Sequence, residues 1–158
     1  MPVHGNHLHH AVEMFLKAYL TRHDFSLDDL KNKMRHDLKR LWAEFKKIAG
    51  DDTLVIYDDH ITELDKFEEI RYPDAILRTG MTGGISIVPG DRTQVWTDAP
   101  PPPRHYEVNL GEIDGLIAKI VGLIGVNREV LVRTLRKDMA KSVFFEHNPC
   151  AEFWKRND

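Results

Sequence analysis

Apolar residues recur at spacings of three and four in successive stretches of this chain, and that period dictates helices packed on one another. From His7 to Arg22, the residues Leu8, Ala11, Val12, Phe15, Leu16, Tyr19 and Leu20 form one stripe. A second stripe (Leu27, Leu30, Met34, Leu38, Leu41, Phe45, Ile48) runs to Ala49, with Asp24 or Ser26 placed to cap its start and Gly50 to stop it. It is either one long helix or two short ones that break near Lys33–Asp37. Thr53–Tyr57 is β-prone and reads as a brief strand or a buried connector. Asp58 or Asp59 opens a third helix with Ile61, Leu64 and Phe67 on its apolar side, and Tyr72-Pro73 ends it. A fourth helix starts near Leu110 and presents Ile113, Leu116, Ile117, Ile120, Val121 and Ile124 before Gly125 or Asn127. A fifth runs from about Arg128 to Phe145, with Asn148-Pro149 closing it.

Residues 76–109 break the period. Glycines 80, 83, 84 and 90 punctuate them, Ile85–Val88 and Thr93–Trp96 read as two strands around Pro89-Gly90-Asp91, and Pro100–Pro103 form an extended spacer. The prediction is therefore an all-α fold of about five helices in an up-and-down bundle, carrying a β-hairpin-like insertion at 76–109. One domain spans 1–158: residues 7–75 and 110–126 supply the bundle core, and 127–158 supply a C-terminal helix and tail.

Charge is distributed unevenly. The net charge is −3, which argues against a surface that grips nucleic acid everywhere. Residues 17–47, however, carry nine Lys/Arg against five Asp/Glu, whereas residues 51–98 carry four against eleven. A local basic face for phosphates survives this arithmetic, beside the plainer reading of solvated helix faces. No apolar run approaches the ~20 residues needed to span a bilayer. The N-terminus lacks a basic-then-apolar signal layout, so a cytoplasmic protein is expected. A single cysteine, Cys150, excludes an internal disulfide framework and a cysteine-based zinc cage. Cys150 has no base partner in sequence and is expected to be inert. His4, His7, His9 and His10 crowd the N-terminus without an acidic or cysteine neighbour before Glu13, so no metal or other cofactor is expected. Gly80–Gly84 lacks the Lys-Ser/Thr of a phosphate loop and reads as turns.

Several positions stand out singly. Glu13 and Lys17 are four apart, with the acid first, which is the favourable orientation for a helical ion pair, expected at the surface. His36 follows Arg35 in the most basic stretch; its ring either packs between helices or serves a phosphate or partner site. Arg71 ahead of Tyr72-Pro73 is placed to bridge helices by pairing with Glu13 or Asp74. Phe153 and Trp154, in a charged tail, either dock back on the core or meet a second subunit, with the second subunit preferred.

The run from His10 to Leu20, which contains Glu13 and Lys17-Ala18, resembles the first-helix signature of HEPN domains. Met34 to Leu41, with His36-Asp37-Leu38, resembles that family's His-Asp-Leu element, and Arg71-Tyr72-Pro73 resembles its Arg-Tyr-Pro stop. The resemblance covers about residues 7–75. It implies a helical, usually homodimeric domain that binds RNA or nucleotides, or pairs with a nucleotidyltransferase-like protein in toxin–antitoxin systems. Many such domains are metal-independent endoribonucleases that use Arg, then four to six residues, then His. Here no Arg precedes a His by five to seven positions, and the nearest substitute is Lys141 with His147. The resemblance thus points to a catalytically silent binding module whose ligand face comprises Glu13, Lys17, Arg35, His36, Arg40 and Arg71. Its rivals are an endoribonuclease built on Lys141 and His147, and a structural antitoxin-type subunit.

Overall fold

The computed structural model describes residues 2–70, 83–88, 104–127, 130, 145–146, 148 and 150–155. The described chain is mostly helical. Helix α1 runs Pro2–Arg22, longer at its N-terminus than the apolar stripe. Ser26 then caps a single turn, Leu27–Asp29, by accepting the Asp29 N–H, and the turn widens into a π-helical segment, Leu30–Met34. The chain breaks at Arg35 and restarts as α2, Leu38–Ala49, with the Asp37 carboxylate accepting the Arg40 N–H at 2.9 Å. Of the two readings of the second stripe, the structure therefore has the broken one. Gly50, at φ 60°, ends α2 in the left-handed conformation that glycine adopts without strain.

Residues Asp52–Tyr57 form a 3-10 helix rather than the strand weighed from sequence. The Asp51 carboxylate accepts both the N–H and the hydroxyl of Thr53, which winds the chain at once. Only Leu54 of this segment is buried, while Val55 and Ile56 face solvent. Helix α3 spans Asp58–Asp65 and tightens into a 3-10 turn, Lys66–Ile70, before Tyr72-Pro73. Helix α4 spans Leu110–Ile124, capped by the Asn109 side chain and closed by Gly125 at φ 69°. A short helix, α5, spans Ala151–Lys155. Most of the expected fifth helix, Arg128–Phe145, lies outside the described residues. No described helix is long and apolar enough to cross a membrane.

The pairing described in the insertion is one that the sequence does not announce. Strand β1, Gly83–Val88, includes the expected Ile85–Val88, but its described partner is β2, Arg104–Asn109. The two run parallel, with Gly83 opposite Arg104 and Val88 opposite Asn109. A tight hairpin turn cannot join parallel strands, which need a longer crossover. The expected second strand, Thr93–Trp96, lies outside the described residues. Tyr106 and Val108, two apart and hence on one face, are buried, and the Tyr106 ring meets Phe67 at 5.5 Å.

One core joins these elements. Val12, Leu16 and Leu20 of α1 pack with Leu38, Leu41 and Phe45 of α2, Ile61 and Leu64 of α3, and Leu116 and Ile120 of α4, all essentially removed from solvent. Truncating such a leucine to alanine costs about 2–5 kcal/mol. The α1 backbone passes so close to the 3-10 turn after α3 that a Cβ at Gly5 would overlap the Phe67 ring. The Arg22 guanidinium donates to the Ile124 carbonyl, tying the ends of α1 and α4 together. Trp154 corrects an expectation. It is 8% exposed and packs on Ala118 and Val121 of α4, so it docks on this chain's own core.

Candidate functional site

Glu13 sits one turn before Lys17 on the side of α1 that the Arg35-His36 break approaches. Their ion pair forms, with Lys17 Nζ 2.5 Å from Glu13 Oε1, but not at the surface: Glu13 is 1% exposed. A buried carboxylate needs compensation on every side, and three groups provide it, two from its own helix and one from the turn. Lys17 donates to it, His36 Nδ1 lies 3.1 Å from both its oxygens, and His10 Nδ1 lies 3.5 Å from Oε2. Burial alone would raise the Glu13 pKa. The hydrogen bonds from Lys17 and His36, with the positive charge of Lys17, override that and leave it below the ordinary carboxylate value. Glu13 is therefore an anion, and the hydrogen between it and His36 belongs to Nδ1.

The break that delivers His36 is a strained turn. The Asp37 N–H donates to the Met34 carbonyl at 2.9 Å, closing a four-residue β-turn with Arg35 and His36 at its centre. Arg35 has φ 46° and ψ −114°, near the first central position of a type II′ turn, which glycine normally fills. A side chain there costs about 1–3 kcal/mol. Lys17 Nζ also donates to the Arg35 carbonyl at 2.5 Å, so the same lysine neutralises Glu13 and clamps the turn.

Beside this cluster lies a groove of about 650 Å³, open to solvent and bounded by α1, the Leu27–Met34 segment and the turn. Met14, Lys17, Ala18 and Thr21 line it from α1, Leu27, Leu30 and Lys31 from the segment after Ser26, and Arg35 and His36 from the turn. Among the described residues, neither Lys31 nor Arg35 has a carboxylate partner for its side chain. The groove therefore offers two uncompensated cations beside apolar surface from Met14 and Leu27, which are 53% and 74% exposed.

The structure thus brings Glu13, Lys17, Arg35 and His36 together. Arg40 stands apart: its guanidinium donates to the Lys33 carbonyl at 2.5 Å and lies 3.8 Å from Asp37, bracing the turn from outside the groove. Arg71, Lys141 and His147 lie outside the described residues. Sequence reading passed over Lys31, Met14 and Thr21. The signal was present, because 14, 17 or 18, and 21 share one helical face and Leu27 and Lys31 stand four apart. It was lost because Met14 and Thr21 fall outside the buried stripe. His10 stands in sequence as part of a histidine cluster and as the start of the HEPN-like run, and neither role announces its contact with Glu13. Its neighbour His9 is buried and uses Nδ1 to hold the Leu64 carbonyl at 3.1 Å. Among the described residues, no group of three His, Cys, Asp or Glu side chains is placed to hold a metal ion.

A second cavity, of about 410 Å³, lies between Tyr57, α4 and α5 and includes Cys150. Burial, with the negative charges of Asp114 and Glu112, pushes the Cys150 thiol up, so it stays protonated and unreactive at neutral pH. The groove beside Glu13 is the better candidate. No protein-family model, curated protein or solved structure matches this chain.

Proposed function

We propose that the groove is the ligand face of a HEPN-like, catalytically silent module that binds RNA or a nucleotide through phosphate. The observation that carries this reading is Arg35. A long cationic side chain occupies a turn position that favours glycine, and it stands with Lys31 at the rim of an open groove without a carboxylate partner among the described residues. Strain retained at such a position is a recognised mark of a working site. A guanidinium also offers the forked donor geometry that fits phosphate oxygens. Exposed Met14 and Leu27 supply apolar surface against which a base or ribose can rest.

Binding of a fluorescein-labelled oligouridine, followed by fluorescence anisotropy at fixed pH, tests this reading. With two uncompensated cations in play, the salt slope for a single strand is about −1.4, or roughly a sevenfold loss of affinity between about 50 and 200 mM salt. Arg35→Ala together with Lys31→Ala should flatten that slope and remove most of the binding. Unchanged binding by the double variant would contradict the proposal.

A further inference from the structure

We infer that His36 takes up a proton at Nε2 when a phosphate enters the groove, so that ligand binding by this protein is coupled to pH. The inference rests on the groove's being a phosphate site and adds to that reading how the site is regulated.

The geometry assigns the roles. Both Glu13 oxygens lie 3.1 Å from His36 Nδ1, and a carboxylate can only accept, so Nδ1 carries the hydrogen. In neutral His36 the remaining nitrogen, Nε2, is then an acceptor. Its lone pair meets a phosphate oxygen, itself an acceptor, unfavourably. Protonation turns Nε2 into a donor and replaces that clash with a charge-assisted hydrogen bond. The imidazole lines the groove and is 43% exposed, and with Nδ1 engaged by Glu13 its second nitrogen is the one left for a ligand.

Charged groups of both signs stand near the ring. From α1, Glu13 favours the imidazolium, Lys17 opposes it, and His10 sits 3.5 Å from the same carboxylate. From the segment before the turn, Lys31 opposes it, as does the adjacent Arg35. Asp37 is turned to its own helix, where it accepts the Arg40 N–H. An incoming phosphate adds negative charge beside the ring and favours its protonated form.

Isothermal titration of unlabelled oligouridine into the full chain, in two buffers of different ionisation enthalpy, counts the protons exchanged. The ligand itself does not titrate between about pH 6 and pH 8. The expected result is an uptake approaching about one proton per site on the alkaline side, with affinity falling up to about tenfold per pH unit there. His36→Gln keeps an N–H for Glu13 and should bind with no proton uptake and a flat pH profile. His10→Gln should keep the uptake. Binding by the parent protein with no proton exchange would overturn the inference, as would uptake that persists in His36→Gln or vanishes in His10→Gln. Each of those leaves the phosphate reading standing. No binding down to about pH 6 would overturn both. The parent protein's own profile decides the matter even if a variant fails to fold.

Discussion

Two clusters in this molecule are built from the same parts and serve different ends. Each has a carboxylate, a lysine and an aromatic N–H. At Asp58 the partners are Lys46 Nζ at 2.6 Å and the Trp42 indole at 2.6 Å; at Glu13 they are Lys17 Nζ at 2.5 Å and the His36 imidazole at 3.1 Å. Both acids lie below their ordinary pKa for the same reason, burial being outweighed by hydrogen bonds from the lysine and the ring. The differences are burial and the second ring atom. The Asp58 side chain is 40% exposed, and its indole partner has a single nitrogen, already used. That cluster stitches α2 to α3 and ends there. The Glu13 side chain is 2% exposed, and its imidazole has another nitrogen to offer beside a groove.

The sharpest way to break this comparison is to delete each acid. Glu13→Ala leaves Lys17, which is 20% exposed, and the turn without their anchor, and should cost about 2–3 kcal/mol in urea unfolding. Asp58→Ala removes a solvent-screened pair and should cost about 1 kcal/mol or less. Equal losses would mean that burial does not distinguish the two clusters.

Arg35→Gly should move stability and function in opposite directions. Glycine relieves the strained backbone at φ 46° and should stabilise the fold by about 1 kcal/mol. The same change removes the guanidinium and should weaken oligouridine binding. A destabilised variant would show that Arg35 is held by packing rather than kept for a ligand. Trp42→Phe, in the other cluster, loses a hydrogen bond and part of a buried ring, should cost about 1–3 kcal/mol, and should leave oligouridine binding untouched.

The smallest expected effect lies in acid. A carboxylate whose folded pKa is lowered contributes stability that is present above its unfolded value, about 4.3 for Glu. That contribution is lost as pH falls through the lower folded value. Glu13 should therefore steepen the loss of stability below about pH 4. Glu13→Gln should flatten that part of the profile, and an unchanged slope would place the acid sensitivity elsewhere.

Much of the fold was legible because helix stripes, caps and stops are local. Asp37 and Gly50 act as cap and stop where the chain requires them, and the break at Lys33–Asp37 was one of two stated readings. What the sequence did not show was non-local. The parallel pairing of β1 with β2 depends on residues about 20 positions apart, which no alternation pattern encodes. Trp154 in a charged tail looks exposed until α4 is placed beneath it. The site was half legible. Glu13, Lys17, Arg35 and His36 were singled out by spacing, charge and resemblance, but the burial of Glu13 depends on a turn 22 residues away. Arg40 was grouped with them on charge alone, and its side chain braces the turn instead.

The groove's role is tested most directly by comparing two arginines that sequence could not separate. Oligouridine binding by anisotropy should fall about tenfold or more in Arg35→Ala, a change of roughly 1.4 kcal/mol. It should change less than about twofold in Arg40→Ala, whose guanidinium is engaged outside the groove. Equal losses in the two variants, or no loss in Arg35→Ala, would contradict the account.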